Sequence, residues 1–528
     1  MVAGARSWLA IAAVQLVTSV LVTWPLVTRL GDGLPQGGEG EATVPFFNLW
    51  SLEWTAHNLP FHWSRWWDAP IFWPSSGSYA RSELQPLTGL VHRVLTVVLS
   101  PAASYGVLVL LALTLNGVAG HALARRLGAT WGAAAFAGVL VQLTPFLHRQ
   151  LGVLQLLMLW PVLGAACLLL AWAERPRLRT AAALGAMLAA GLLTCSYHAA
   201  LFAMAAAPAA LVLLRRSWRA EWRSRLSGAL LAAAVFAAVA APFAVTQGNV
   251  LGDTVWAHST IEGGSAEWRE LWHGGRHWPG TVVVLLAVVA VVLHRRRRAV
   301  WFVTGLAVVA LVLSLGMHLG VGDVRPYEWL VDHVDAVARM RSPFRAVALA
   351  QACLAVLAAL GVDHLRRTAT PLAVGAGLLA TLAVGGASIG SGPMAALPDV
   401  HTDWSNWLHD HPGGAVVVMP MPTARPASAF VHTTEWMLMG LAHGHPLVNG
   451  YTGFFPQGDR DFRLRMGTFP SAESVAELRE LGVRYVVADG EWWTSKRQLA
   501  AEALGLELVQ GGPDGTLIDL QESSPTGN

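Results

Sequence analysis

The stretch RMRSPFRAVALAQACLAVLAALG, residues 339–361, sets three arginines directly before an apolar run, and its reading decides the fold. The 17 residues 346–362 after Arg345 carry no charge, and with the flanking residues they reach the roughly 20 that cross about 30 Å of hydrocarbon as a helix. Arg366 and Arg367 close it on the far side. The same pattern of apolar run and arginine punctuation repeats in both directions along the chain. It predicts crossings near 8–27, 102–122, 129–145, 150–172, 179–195, 197–214, 226–246, 279–293, 299–316, 344–364 and 370–389. The chain has 528 residues, 54% hydrophobic and only 13% charged, with a mean hydropathy of +0.46. Those values exclude a soluble monomer and predict a polytopic α-helical membrane protein of about 11 transmembrane helices.

Charge orients this bundle. The clusters at Arg125 and Arg126, at Arg175, Arg177 and Arg179, at Arg215, Arg216, Arg219, Arg223 and Arg225, at Arg295 to Arg298, and at Arg366 and Arg367 belong on the cytoplasmic side by the positive-inside rule. The first span lacks a cleavage site and reads as a retained signal anchor, with the N-terminus cytoplasmic. An odd number of crossings then places segments 28–101, 247–278 and 317–343 and the tail outside the cell membrane. The apolar stretch Leu84 to Leu99 holds His92 and Arg93 and breaks that parity if counted as a span, so it reads as an interfacial helix. The net charge of +3 is small and distributed between spans, which argues against nucleic acid as a partner. Cys167, Cys195 and Cys353 fall inside spans without metal-ligand spacing and read as small buried hydrophobes.

The chain divides into a transmembrane domain, residues 1–390 with the external loop 28–101, and an extracytoplasmic domain, residues 391–528. In the latter, GGAVVVMPMP (413–422), VRYVVAD (483–489) and GTLIDL (515–520) read as strands, and SAESVAELRELG (471–482) as a capped amphipathic helix. A small C-terminal α/β domain follows.

The first external loop concentrates Trp50, Trp54, Trp63, Trp66, Trp67 and Trp73 with Glu39, Glu41, Glu53, Asp68 and Glu83. Phe46, Phe47, Trp50, Trp54 and His57 fall near one helical face. Indoles at headgroup depth form interfacial belts, and indole faces also stack on sugars. Carboxylates beside a membrane are either solvated loop charges or tuned bases and cation ligands. Arg339, Arg341 and Arg345 either snorkel from a helix end or fork onto a lipid phosphate. Their external position opposes the positive-inside trend and favours a ligand. His148 and Arg149 form a second external basic pair. Gln155 and His198, at span ends, either bond between helices or line a cavity. No phosphate-binding loop of the G-x-x-x-x-G-K-[ST] type occurs, nor H-E-x-x-H or G-x-S-x-G.

VPFFNLWSLEWTAHNL (44–59), WDAPIFWPSSGSYARSE (67–83), LTPFLHRQLGVLQLLMLWP (143–161), residues 339–361, HGHPLVNGYTGFFP (443–456) and ELGVRYVVAD (480–489) follow one another in an order that resembles the GT-C superfamily of integral-membrane glycosyltransferases. The likeness is closest to a bacterial branch with an extracytoplasmic C-terminal domain. The resemblance implies transfer of a sugar from a polyprenyl-phosphate donor to a glycan or glycoprotein acceptor of the cell envelope. Glu41, Asp68 or Glu83 would act as base or metal ligand, and Arg341 and Arg345 would grip the carrier phosphate, with His148, Arg149, Gln155 and Trp67 as further substrate-binding candidates. A divalent cation, Mg²⁺ or Mn²⁺, is compatible with this chemistry, although no tight ligand spacing calls for one. Two positions depart from the resembling pattern: Val44 stands where an Asp is expected and Val153 where a His is expected. They keep open a non-catalytic protein that binds or transports a lipid-linked glycan.

Overall fold

The computed structural model describes residues 4–37, 41–214, 221–272, 274–320, 322–368, 370–385, 390, 392–424 and 426–521. Glu39, Arg215, Arg216 and Arg219 lie outside the described residues. Among the described residues, seven helical segments are long and apolar enough to cross a membrane: Ala5–Val22, Pro101–Leu127, Trp131–Arg149, Leu154–Glu174, Ser196–Leu214, Trp222–Leu251 and Pro343–Arg367. Four shorter apolar helices, Leu178–Thr194, Thr281–Leu293, Arg298–Ser314 and Thr370–Gly385, fall at the remaining sites where the sequence predicts crossings. The 13 residues of Thr281–Leu293 rise only about 20 Å, less than the full hydrocarbon thickness. The protein is a multi-pass membrane protein.

Contact clustering divides the chain into two compact units: Met1–Gly31, Pro35–Gly40 and Ala103–Met394 make the first, and Asp32–Leu34, Glu41–Ala102 and Ala395–Asn528 the second. The division differs from the one drawn on the sequence, because segment 41–102 groups with the C-terminal residues instead of with the bundle. A hydropathy pattern locates spans, but it carries no signal for which loop packs on which domain.

Within the first unit the spans pack through small residues. A Cβ on Gly185 would come 2.3 Å from the Ala232 carbonyl oxygen, and one on Gly361 would come 2.3 Å from that of Leu286. Glycine at these crossings lets two backbones touch, which is how helices associate without a hydrophobic drive in lipid. Helix Pro343–Arg367 lies deepest, with Val347, Ala350, Cys353, Val356 and Ala359 all buried.

In the second unit, four strands form one sheet: β1 (Ala415–Met419), β2 (Val483–Ala488), β3 (Glu507–Gly512) and β4 (Gly515–Asp519), in the order β1-β2-β4-β3. β1 runs parallel to β2, with Val417 opposite Val486 and Met419 opposite Ala488. β2 and β4 are antiparallel, Val486 facing Ile518, and β3 and β4 make a hairpin. The unbroken apolar run AVVVM, buried throughout, fits a strand covered on both faces, and VRYVVA is buried except at Arg484. Helix Ala472–Glu480 starts at a capping box between Ser471 and Ser474, and its Val475 and Leu478 enter the core with Val417, Met419, Phe469 and Ile518. The predicted strands at 413–422, 483–489 and 515–520 are therefore present. β3 and helix Val431–His443 complete the α/β unit, and helix Thr43–Asn58 packs on Val431–His443 and on Pro86–Leu95.

Candidate functional site

In the bundle unit, four segments distant in sequence meet at span ends. Helix Pro145–Arg149 opens with a proline after Thr144, which breaks the preceding helix and turns the backbone N–H of Phe146 toward Gln351. That N–H donates to Gln351 Oε1 at 3.0 Å, and Gln351 Nε2 donates to the His277 carbonyl at 2.9 Å. The Phe344 ring stacks on His277 at 5.4 Å and 20°, and Phe146 packs on Phe344 at 6.2 Å. Phe344 N–H donates to the Gly264 carbonyl at 3.1 Å. A Cβ on Gly264 would lie 1.9 Å from the Arg341 carbonyl oxygen, so only glycine allows this approach.

These contacts surround a cavity of about 540 Å³ lined by residues that include Glu262, Glu267, Glu270, Arg276, His277 and His318. Burial drives the His277 pKa down to about 4, with Glu270 opposing and with Arg276 and Arg149 reinforcing the shift. The imidazole is therefore neutral near pH 7, set among Glu270, Arg276 and Arg149. Arg345 stands with its guanidinium carbon 4.1 Å from the Tyr197 ring centroid, and Arg341 lies 5.4 Å from that of Trp256. The Tyr197 hydroxyl accepts the Arg341 backbone N–H at 3.1 Å. Stacking on an aromatic face orients the planar guanidinium fork. Arg149 is exposed and acts on His277, whereas Arg341 and Arg345 are held on Trp256 and Tyr197.

The two other bundle candidates are interior groups. His148 is 5% exposed and its Nε2 bonds the Gln142 carbonyl at 2.9 Å, while Gln155 is buried in the turn Leu154–Leu157. His198 Nε2 bonds the Leu156 carbonyl at 2.9 Å, the inter-segment bond expected of a polar group at a span end. Arg339 is tied to the carbonyls of Thr254 and Gly252. The sequence treated 247–278 as a connecting loop; its Glu262, Glu270, Arg276 and His277 carry no motif spacing, and the cavity they line exists only once residues 341–345 are folded beside them.

In the second unit the carboxylates are separate. Glu41 precedes helix Thr43–Asn58 and is half-buried, with Oε1 inaccessible and lacking a hydrogen-bond partner. Asp68, exposed, accepts the Gly77 N–H on Oδ1 at 2.6 Å. Glu83 is half-buried. Glu53 Oε1 bonds His92 Nε2 at 2.7 Å, the His92 side chain being fully buried, so the charge that made 84–99 unsuitable as a span is held inside this unit. Among the described residues no group of three or more His, Cys, Asp or Glu side chains could hold a metal ion.

The indoles of the loop mostly form a core. Trp66 is fully buried and Trp67 is 5% exposed, their rings 4.6 Å apart, with Tyr79 5.0 Å from Trp66. Trp54 Nε1 donates to the Trp66 carbonyl at 2.9 Å, and Trp66 Nε1 donates to Thr55 Oγ1 at 3.1 Å. The Tyr79 hydroxyl bonds Ser51 at 2.5 Å and Thr55 at 2.9 Å, and burial raises its pKa. Phe46, Phe47, Trp50 and Trp54 are buried in their helix, whereas His57, in its last turn, is exposed. Trp67 is accordingly packed within aromatic side chains.

Comparison with solved structures adds the decisive similarity. ArnT from Cupriavidus metallidurans aligns over 99% of this chain and 99% of its own, with a TM-score of 0.51 at 14% identity. The arabinofuranosyltransferase AftD from Mycobacteria aligns over 98% of this chain and 42% of its own, with a TM-score of 0.55 at 16% identity. The chain shares its overall fold with these two membrane proteins. An archaeal oligosaccharyltransferase, AglB from Archaeoglobus fulgidus in complex with an inhibitory peptide and a dolichol-phosphate, aligns more weakly, at 14% identity and a TM-score of 0.48 over 98% of this chain and 74% of its own. No family model and no curated protein sequence matches the chain. At these identities the GT-C likeness establishes architecture, and chemistry has to be argued from the residues.

Proposed function

We propose that this GT-C protein transfers a sugar from a polyprenyl-phosphate-linked donor to a cell-envelope glycan or glycoprotein on the extracytoplasmic face. The observation that carries the reading is that Arg149 and Arg276 act on His277, on which Phe344 stacks beside a cavity of about 540 Å³, while Arg345, next to Phe344 in sequence, lies on the Tyr197 ring. As the glycosidic bond breaks, negative charge grows on the carrier phosphate. Guanidinium groups already oriented by aromatic faces stabilise that charge without reorganising. The acceptor hydroxyl must lose a proton as it attacks, which requires a carboxylate base. Of the three candidates we favour Glu41, whose Oε1 is buried and unpartnered, whereas Asp68 Oδ1 accepts the Gly77 N–H. No step is assigned to a metal.

The test is transfer of label from a radiolabelled polyprenyl-phosphate sugar by protein in lipid nanodiscs, with an envelope fraction as acceptor. Arg345→Ala should lower the rate by about 100-fold or more, the scale of removing one oriented charge-stabilising group. Arg339→Ala, outside the cluster, should change it little. A wild-type protein that transfers nothing from any of a series of donor sugars sinks the reading. The observation favouring the rival, a non-catalytic binder or transporter of lipid-linked glycan, is that Val44 sits in the first turn of helix Thr43–Asn58 and Val153 is 8% exposed, so neither expected polar side chain is present there.

A further inference from the structure

Within the second unit, Trp50, Trp54, Trp66 and Trp67 are buried, whereas Trp73 remains 41% exposed. It is nonetheless held firmly. Its Nε1 donates to the Leu481 carbonyl at 2.9 Å, and its backbone N–H donates to the Leu447 carbonyl at 2.9 Å. The preceding Phe72 has φ 59, a left-handed conformation that is strained for a bulky residue. Phe72 N–H also donates to the Asn449 carbonyl at 3.3 Å, and Asp68 Oδ1 closes the loop on Gly77. A strained, multiply anchored loop therefore presents one indole to the exterior in a fixed orientation.

The indole borders a cavity of about 310 Å³ whose other walls include Gly413, Gly414, His443, His445 and Gly482. Gly414 has φ 82, and a Cβ there would lie 2.5 Å from the Arg484 side chain; Gly482 has φ 75. Both positions call for glycine, and the bare backbone they leave offers peptide groups to a ligand. No Asp, Glu, Lys or Arg is among the lining residues, which disfavours a phosphate or a carboxylate. His443 is 5% exposed; its Nδ1 accepts the His445 backbone N–H at 3.1 Å, and its Nε2 is buried without a partner. With Nδ1 accepting, the neutral ring carries its proton on Nε2. A purely apolar ligand would leave that donor unsatisfied, at a cost.

A fixed indole face, uncharged walls rich in peptide groups, and a donor lacking an acceptor suit a molecule with one apolar face and a rim of hydroxyls. We propose that this cavity binds a neutral glycan, one or two sugar rings stacked on Trp73. Its volume is at the small end of ligand pockets, about 300–1,000 Å³, which fits a short segment of chain. Because the loop is ordered before the ligand arrives, little conformational entropy remains to be lost on binding. Naming this glycan as part of the acceptor rests on the transfer reading; the binding itself does not.

The test uses the full chain in detergent micelles, labelled with 5-fluorotryptophan, with Trp73→Phe assigning the Trp73 fluorine resonance. Maltotetraose, cellotetraose and α-1,5-linked arabinotetraose are titrated separately, with glucose 1-phosphate as a charged control. At least one tetrasaccharide should move the Trp73 resonance saturably, the control should not, and Trp73→Ala should weaken binding by about tenfold or more. Should Trp73→Ala fail to fold, the wild-type resonance shift decides alone. The inference is overturned if no tetrasaccharide moves that resonance, or if folded Trp73→Ala binds as well as the wild type. Glycan binding at Trp73 in a protein that transfers no sugar upholds the site and refutes the transfer reading. Transfer by a protein whose Trp73 resonance ignores all three glycans does the opposite.

Discussion

Glu41 and Asp68 look alike in sequence as loop carboxylates and differ once each oxygen's surroundings are known. Asp68 accepts a backbone N–H, so it positions the loop that carries Trp73, while Glu41 keeps a buried oxygen with no donor opposite. Glu41→Gln should therefore cut sugar transfer by about 100-fold or more and leave melting temperature nearly unchanged; a variant with wild-type rates would remove Glu41 from the mechanism. His443 yields a second expectation at this scale. Burial first, then the neighbouring His445 and His409, lowers its pKa to about 3. The folded-state value lies below the ordinary one near 6.5, so the stability associated with the neutral ring is whole above about pH 6.5 and is lost as pH falls toward 3. Each pH unit in that window costs up to ~1.4 kcal/mol. His443→Gln should flatten the acid slope of the melting temperature, and a His443 ring that titrates near 6.5 by NMR would contradict it.

At the scale of elements, what was legible in the sequence was what depends on local pattern. The apolar runs between arginines appear as helices, and GGAVVVMPMP, VRYVVAD and GTLIDL appear as strands, because burial on a regular element leaves a periodic trace. The capping box at Ser471 was readable for the same reason. The candidate cavity was not, because its walls come from residues between 259 and 277 together with His318 and Phe344, and no local spacing records that Phe344 will stack on His277. Nor did anything local pair Trp73 with Leu481, 408 residues away. Gly264 is the place where this assembly is most vulnerable. In Gly264→Ala the new Cβ would overlap the Arg341 carbonyl oxygen, forcing loop 257–265 and residues 341–345 apart. A displacement of about 1 Å at a charge-stabilising group can cost up to about 100-fold in rate. Transfer should fall to that degree while spans and expression persist; unchanged kinetics would show that the Gly264 to Arg341 contact does not set the geometry.

For the whole molecule, the reading depends on which side of the membrane each unit occupies, and charge is the physical determinant. The clusters Arg125 and Arg126, Arg175 to Arg179, Arg295 to Arg298, and Arg366 and Arg367 occupy span ends alternating with those that carry Arg149, Arg276, Arg341 and Arg345. If the former are cytoplasmic, the latter face outward; the proposed transfer further requires the unit containing Trp73 and the four-stranded sheet to be extracytoplasmic. Cys167, Cys195 and Cys353 form no disulfide and lie in or at the ends of apolar helices, so they can be replaced and single reporter cysteines introduced. Glu502→Cys and Ser64→Cys, at exposed positions, should react with a membrane-impermeant maleimide in intact cells. Arg296→Cys, also exposed, should react only after permeabilisation. An extracytoplasmic acceptor requires that pattern, since a polymer outside the membrane cannot reach a site on the other leaflet. Labelling of Arg296→Cys but not Glu502→Cys in intact cells would invert the topology, and with it the identity of any acceptor the protein could use.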